Sequence, residues 1–147
     1  MKRRTGVLMK RHMICILAAL ATLLLCLTGC GNGDDTVTFR LVCQSKDIYQ
    51  IYYTCYIDGE SFCMGGLADL DGNELTEETD LTFSFSRDYF EGADISKLSF
   101  DFSPYGKDDT SEIATTERLY IAAEYGKTYT IYFSGDREHG FTVELSN

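Results

Sequence analysis

Outside its first 30 residues the chain carries three cysteines, Cys43, Cys55 and Cys63, one histidine, His139, and all 23 of its Asp and Glu residues. These are the groups that could do covalent, metal or acid–base chemistry. A Cys-His or Ser-His-Asp mechanism needs a base held by packing and oriented by a third group. His139 sits in the turn-rich run Ser134-Gly135-Asp136-Arg137-Glu138-His139-Gly140, where neither support is expected, and reads as a surface histidine. Zinc sites draw three or four ligands from His, Cys and acids, often at C-x-x-C spacing, and no such pair occurs among these cysteines. A glycosidase-type carboxylate pair is the one catalytic route the composition leaves open, yet among 23 acids proximity arises by chance and selects no pair. No glycine-rich phosphate loop precedes a helix, and no basic aromatic surface suits nucleic acid. Neither catalysis nor a nucleic-acid partner is expected.

Three smaller arrangements bear on binding and on cross-linking. Asp69-Leu70-Asp71-Gly72-Asn73 alternates oxygen-bearing side chains, so Asp69, Asp71 and Asn73 could wrap calcium. An EF-hand loop would set Gly at its sixth position and Glu at its twelfth, where this chain has Glu74 and Asp80, and a turn that needs positive φ at Gly72 accounts for the same residues. Asp58-Gly59 is a hairpin signal. If the loop spans residues 58–60, Cys55 faces Cys63 at a Cα separation of about 4.5–5.5 Å, within disulfide reach. A two-residue loop puts the two cysteines on opposite faces, and three buried free thiols are the alternative outcome. In the preceding strand Ile51, Tyr53, Cys55 and Ile57 share one face, leaving Tyr52, Thr54 and Tyr56 on the other. With the first face buried, Tyr52, Thr54 and Tyr56 form an outward stripe of amphipathic contact area suited to a peptide, a glycan or a partner protein. Ordinary cross-strand packing would use the same residues.

The elements that must position these groups have period two rather than 3.6. Residues 37–43, 51–57, 61–64, 81–86, 98–102, 119–121, 128–133 and 141–145 alternate as strands. Turn signals occur every 8 to 15 residues, Gly65-Gly66 suggests a bulge or bend, and residues 103–106 read as a turn around Pro104, the single proline. Seven to nine short strands without a covering helix predict an all-β antiparallel sandwich, with a small eight-stranded barrel as the alternative closure. In Glu124-Tyr125-Gly126-Lys127-Thr128-Tyr129 a strand end is followed by Gly, two residues and a Tyr that opens the next strand. This resembles the tyrosine corner of immunoglobulin and fibronectin type III sandwiches, which implies that the Tyr129 hydroxyl bonds backbone a few residues upstream and fixes a crossover between sheets. The Cys and Trp spacing of antibody domains is absent, so the resemblance is one of architecture.

The N-terminus sets the expected address. Lys2, Arg3, Arg4, Lys10 and Arg11 precede an almost unbroken apolar run over residues 14–27, which has signal-peptide anatomy and is short of the roughly 20 residues a spanning helix needs. Leu27-Thr28-Gly29-Cys30 closes the run and resembles the lipobox of bacterial lipoproteins. The resemblance implies that Cys30 is diacylglycerated, that residues 1–29 are removed, and that the protein is anchored at the outer face of a membrane of the bacterial envelope. Residues 30–35 then form a short polar spacer of about 20 Å reach when extended, and residues 36–147 the sandwich domain. That domain would carry 8 Lys and Arg against 23 Asp and Glu, a formal −15. Charge of that sign repels nucleic acid and anionic lipid and favours cationic partners or divalent metal. The expected function is a non-enzymatic, membrane-proximal binding or accessory module. The alternatives are an acidic inhibitor or decoy of a basic enzyme or peptide, and a calcium-dependent binding module.

Overall fold

A computed structural model describes residues 35–146, and the signal segment and Cys30 lie outside the described residues. Eight strands form two four-stranded sheets. The strands are β1 (Thr36–Cys43), β2 (Gln50–Ile57), β3 (Glu60–Ala68), β4 (Leu81–Ser86), β5 (Leu98–Tyr105), β6 (Leu119–Ile121), β7 (Thr128–Asp136) and β8 (Gly140–Leu145). One sheet has the order β4-β1-β7-β8 and the other β3-β2-β5-β6. The chain is therefore an all-β sandwich and not a closed barrel. Two short 3-10 turns, Arg87–Phe90 and Ile95–Lys97, join β4 to β5.

Alternation along each strand makes the two layers. In the first sheet Val37, Phe39, Leu41, Ile131 and Phe133 turn inward and are solvent-free. The second sheet answers with Ile51, Cys55, Phe100 and Phe102, equally buried. Phe39 lies at the centre, its ring 4.9 Å from Phe100 across the interface, 5.3 Å from Phe83 and 5.7 Å from Tyr129. Phe→Ala changes in such a core typically cost about 3–5 kcal/mol.

Four local features depart from the period-two expectation. The pairing of β1 with β7 is parallel, while the other five strand pairs are antiparallel. Periodicity cannot register this, because the inward set of a strand is the same whichever way its neighbour runs. The strand order also differs from that of an immunoglobulin constant-type domain, which places its first, second, fourth and fifth strands on one sheet.

Second, β5 runs through Pro104 to Tyr105 instead of turning at Ser103. The Pro104 carbonyl accepts from Ile113 N–H at 2.9 Å, on the side away from β2. The N–H that proline lacks is therefore not needed by the β2–β5 ladder, which is where a sheet tolerates proline.

Third, the β2–β3 loop has two residues, Asp58 and Gly59, with φ of 52° and 87°, as a type I′ turn requires. By itself this turn would put Cys55 opposite Phe62. A bulge between Cys55/Tyr56 and β3 leaves Phe62 unpaired and restores Cys55 opposite Cys63.

Fourth, Gly65 and Gly66 are not the bulge. They pair regularly with Tyr53 and Tyr52. A Cβ at Gly65 would collide with the Tyr53 ring and hydroxyl, and one at Gly66 would lie 3.1 Å from Tyr52 Cε1. The two glycines are beds for two rings, one on each face of the sheet.

Candidate functional site

The outer face of the β3-β2-β5-β6 sheet brings together the aromatic stripe and groups from three other segments. The β2 strand is central, so its outward residues have neighbours on both sides. Tyr52 faces Gly66 and Ser103, and Thr54 faces Met64 and Asp101. Tyr52 is 43% exposed and Met64 76% exposed, while Thr54 and Tyr56 are half-buried. The Tyr52 ring meets Tyr105 edge-on at 5.2 Å and 68°. These side chains, with Glu112 and Thr115 from the β5–β6 connection, line a shallow groove of about 390 Å³.

Carboxylates fix the phenols. The Tyr56 hydroxyl donates to Asp101 Oδ2 at 2.7 Å, and the Tyr105 hydroxyl donates to Glu112 Oε2 at 3.1 Å. The bond to Asp101 raises the Tyr56 phenol above its ordinary pKa, since an acceptor carboxylate favours the protonated form. Tyr105 is raised as well, first by desolvation and then by Glu112. The Arg118 guanidinium stacks over the Tyr56 ring, 3.5 Å from its centroid. The surface is thus a row of ordered tyrosines with acidic acceptors beside them, and one cation of the chain's own already rests on it.

Tyr129 ties the two sheets together. Its hydroxyl accepts from Glu124 N–H at 3.0 Å and donates to the Ala122 carbonyl at 3.4 Å, bridging the crossover from β6 to β7. That is the geometry of a tyrosine corner, and it acts on the edge of the sheet that carries the groove.

The Asp69–Asn73 segment is closed on itself. Asp69 Oδ1 accepts from Asp71 N–H, Asn73 N–H and Asn73 Nδ2, all at 3.0–3.1 Å. Asn73 presents its nitrogen to Asp69, so the segment has the geometry of a hydrogen-bonded turn rather than of an oxygen cage. Among the described residues no three His, Cys, Asp or Glu side chains gather to hold a metal. His139 lies exposed in the β7–β8 hairpin with Nδ1 3.0 Å from the Asp136 carboxylate. A larger groove of about 470 Å³ lies between that hairpin and the β1–β2 loop. There Arg137 is engaged by Asp109 and Asp136 by His139, and no aromatic ring lines the groove.

Asp101, Tyr105, Glu112 and Arg118 were not visible as site residues in the sequence. Alternation puts Asp101 on the outer face of its strand, but only the β2–β5 register brings it to Tyr56.

No family model matches the chain, and no curated protein matches it. A similar solved structure is the NMR structure of a protein from Eubacterium rectale, 18% identical, covering 80% of this chain and 94% of that one with a TM-score of 0.38.

Proposed function

We propose that this chain is a lipid-anchored, extracytoplasmic binding module whose ligand face is the outer face of the β3-β2-β5-β6 sheet, and that the ligand is a polypeptide segment presenting a basic side chain. Cys30 is the anchor, with two acyl chains as stable membrane binding requires. One observation carries the choice of ligand: Tyr52, Tyr56 and Tyr105 stand in one row beside the Asp101 and Glu112 carboxylates, and Tyr56 already seats a guanidinium. Cation–π contact is worth about 0.5–2 kcal/mol, and carboxylates beside the rings add Coulomb attraction. The formal −15 of residues 30–147 supports the same choice by steering cations toward the domain. That charge also favours a second reading, an acidic decoy that captures basic proteins by field alone.

The test is peptide binding to the full-length protein in detergent, using a Lys- and Arg-bearing peptide, its acetyl-lysine and citrulline counterpart, and Tyr52→Ala and Tyr105→Ala variants. The chain has no Trp, so its tyrosine fluorescence reports directly. Each alanine change is expected to weaken the basic peptide about tenfold, the equivalent of about 1.4 kcal/mol, and the neutralised peptide is expected not to bind. Binding that vanishes at moderate salt and ignores both tyrosines would replace the module with the decoy. In the same cells Cys30→Ala should appear in the soluble or unprocessed fraction. A processed Cys30→Ala protein that stays on the membrane would overturn the anchor.

A further inference from the structure

We propose that Cys55 and Cys63 form a cross-strand dithiol that oxidation closes into a disulfide, while Cys43 keeps its thiol. This is independent of what the tyrosine face binds. All three cysteines are free in the structure, but their surroundings differ. Cys55 in β2 stands directly opposite Cys63 in β3, because the unpaired Phe62 compensates for the two-residue turn. Directly opposed residues of antiparallel strands have Cα atoms about 4.5–5.5 Å apart, inside the range a disulfide spans. Both side chains turn to the core side, Cys55 within the buried cluster and Cys63 packed against it. Cys43 lies in the other sheet, where its Sγ donates to the Ser45 carbonyl at 3.7 Å and its ladder neighbour is Phe133.

The order of events follows from exposure. Cys55 is solvent-free and burial pushes its thiol up, whereas Cys63 is half-buried on an edge strand. Cys63 therefore meets the oxidant first. The oxidant is a disulfide, either a small one or that of a thiol oxidase. The Cys63 thiolate bonds to one oxidant sulfur, the oxidant S–S bond breaks, and the other half leaves as a thiolate. The Cys55 sulfur then attacks Cys63, its proton passing to the second departing thiolate. Two protein thiols are oxidised by two electrons, and one oxidant disulfide is reduced to two thiols. Tyr89 borders this site, its ring 5.9 Å from that of Phe62, the neighbour of Cys63. The product fastens the edge strand β3 to β2 immediately below the row that holds Tyr52 and Tyr56.

The experiment treats the folded full-length protein in detergent with oxidised glutathione, blocks residual thiols by alkylation, and maps peptides without reductant. Expected are a Cys55–Cys63 linked peptide, an alkylated Cys43 after unfolding, and the same linkage in Cys43→Ser. Cys55→Ser should stop at a glutathione adduct on Cys63, the trapped first step. Thermal unfolding of the wild type should shift upward on oxidation and return with dithiothreitol, with no such shift in Cys63→Ser. Alkylation of all three cysteines after oxidation, or any linkage through Cys43, would overturn the proposal.

Discussion

Tyr52 and Tyr53 show how one residue pair divides between the outer face proposed for binding and the core. They are adjacent, so they point to opposite faces of β2, and each lies over one of two adjacent glycines. Gly65→Ala would drive a Cβ into the buried Tyr53 ring, a site that cannot relax, and should cost about 1–3 kcal/mol as overpacking does. Gly66→Ala presses on the half-exposed Tyr52 ring and touches the amide end of Gln50, so unfolding should barely move while peptide affinity drops. Denaturant melts of the two variants check this, and equal destabilisation would show that Tyr52 is structural. Tyr53 also makes the domain alkali-sensitive. Burial pushes its phenol up to about 12, so the folded state holds the proton where the unfolded chain, with an ordinary pKa of about 10, has released it. The associated stability is complete below pH about 10 and falls as pH rises to about 12. Wild type should therefore lose more of its thermal midpoint over that window than Tyr53→Phe, whose other tyrosines are unchanged. The sequence already showed Tyr52 and Tyr53 facing opposite ways. It did not show why two glycines follow in the next strand, because a glycine under a ring and a glycine at a bend look alike until the register is known.

At the scale of the element, the β2–β3 hairpin holds both the cysteine pair and half of the tyrosine face. Its register results from two departures that cancel, a tight Asp58-Gly59 turn and a bulge at Phe62. By spacing alone, the opposition of Cys55 and Cys63 requires a three-residue loop. The opposition exists with a two-residue one, since nothing in the residue types announces where an extra residue is absorbed. Phe62 is not idle in that position: its ring packs on Phe90 at 5.4 Å and Tyr89 at 5.9 Å. Deleting Phe62 removes the bulge and keeps Cys55 opposite Cys63, because Cys63 moves into the vacated ladder position. The deletion variant should fold and still form the Cys55–Cys63 disulfide, with a thermal midpoint lowered by the lost aromatic contacts. If the linkage disappears in a folded deletion variant, the bulge does more than correct the count. Pro104 makes the same point about legibility. It looked like a turn residue, yet lies within a strand because its missing N–H faces away from β2.

At the scale of the whole molecule, charge and architecture act separately. The strand pattern foretold a two-layer sandwich because each of the longer strands has one apolar face that must be covered, and two sheets cover each other. The parallel β1–β7 pair and the strand order are decided by connections that periodicity does not encode. The acidity contributes nothing to that packing. It opposes it, because a formal −15 on about 118 residues repels itself in the compact state. The ion pairs Arg87–Asp35 and Lys97–Asp58 are largely exposed and Arg137–Asp109 partly so, and surface pairs are worth about 0–1 kcal/mol each, too little to offset a field of that size. Raising salt from about 0.01 M to about 0.15 M shortens the screening length from about 30 Å to about 8 Å. Both the repulsion and the ion pairs weaken, and with the excess of acid the repulsion dominates. The thermal midpoint should therefore rise over that interval while the rate of association with a basic peptide falls. A midpoint that drops with salt would mean that the exposed ion pairs outweigh the net charge, and that the acidity is locally compensated rather than a field available to steer a partner.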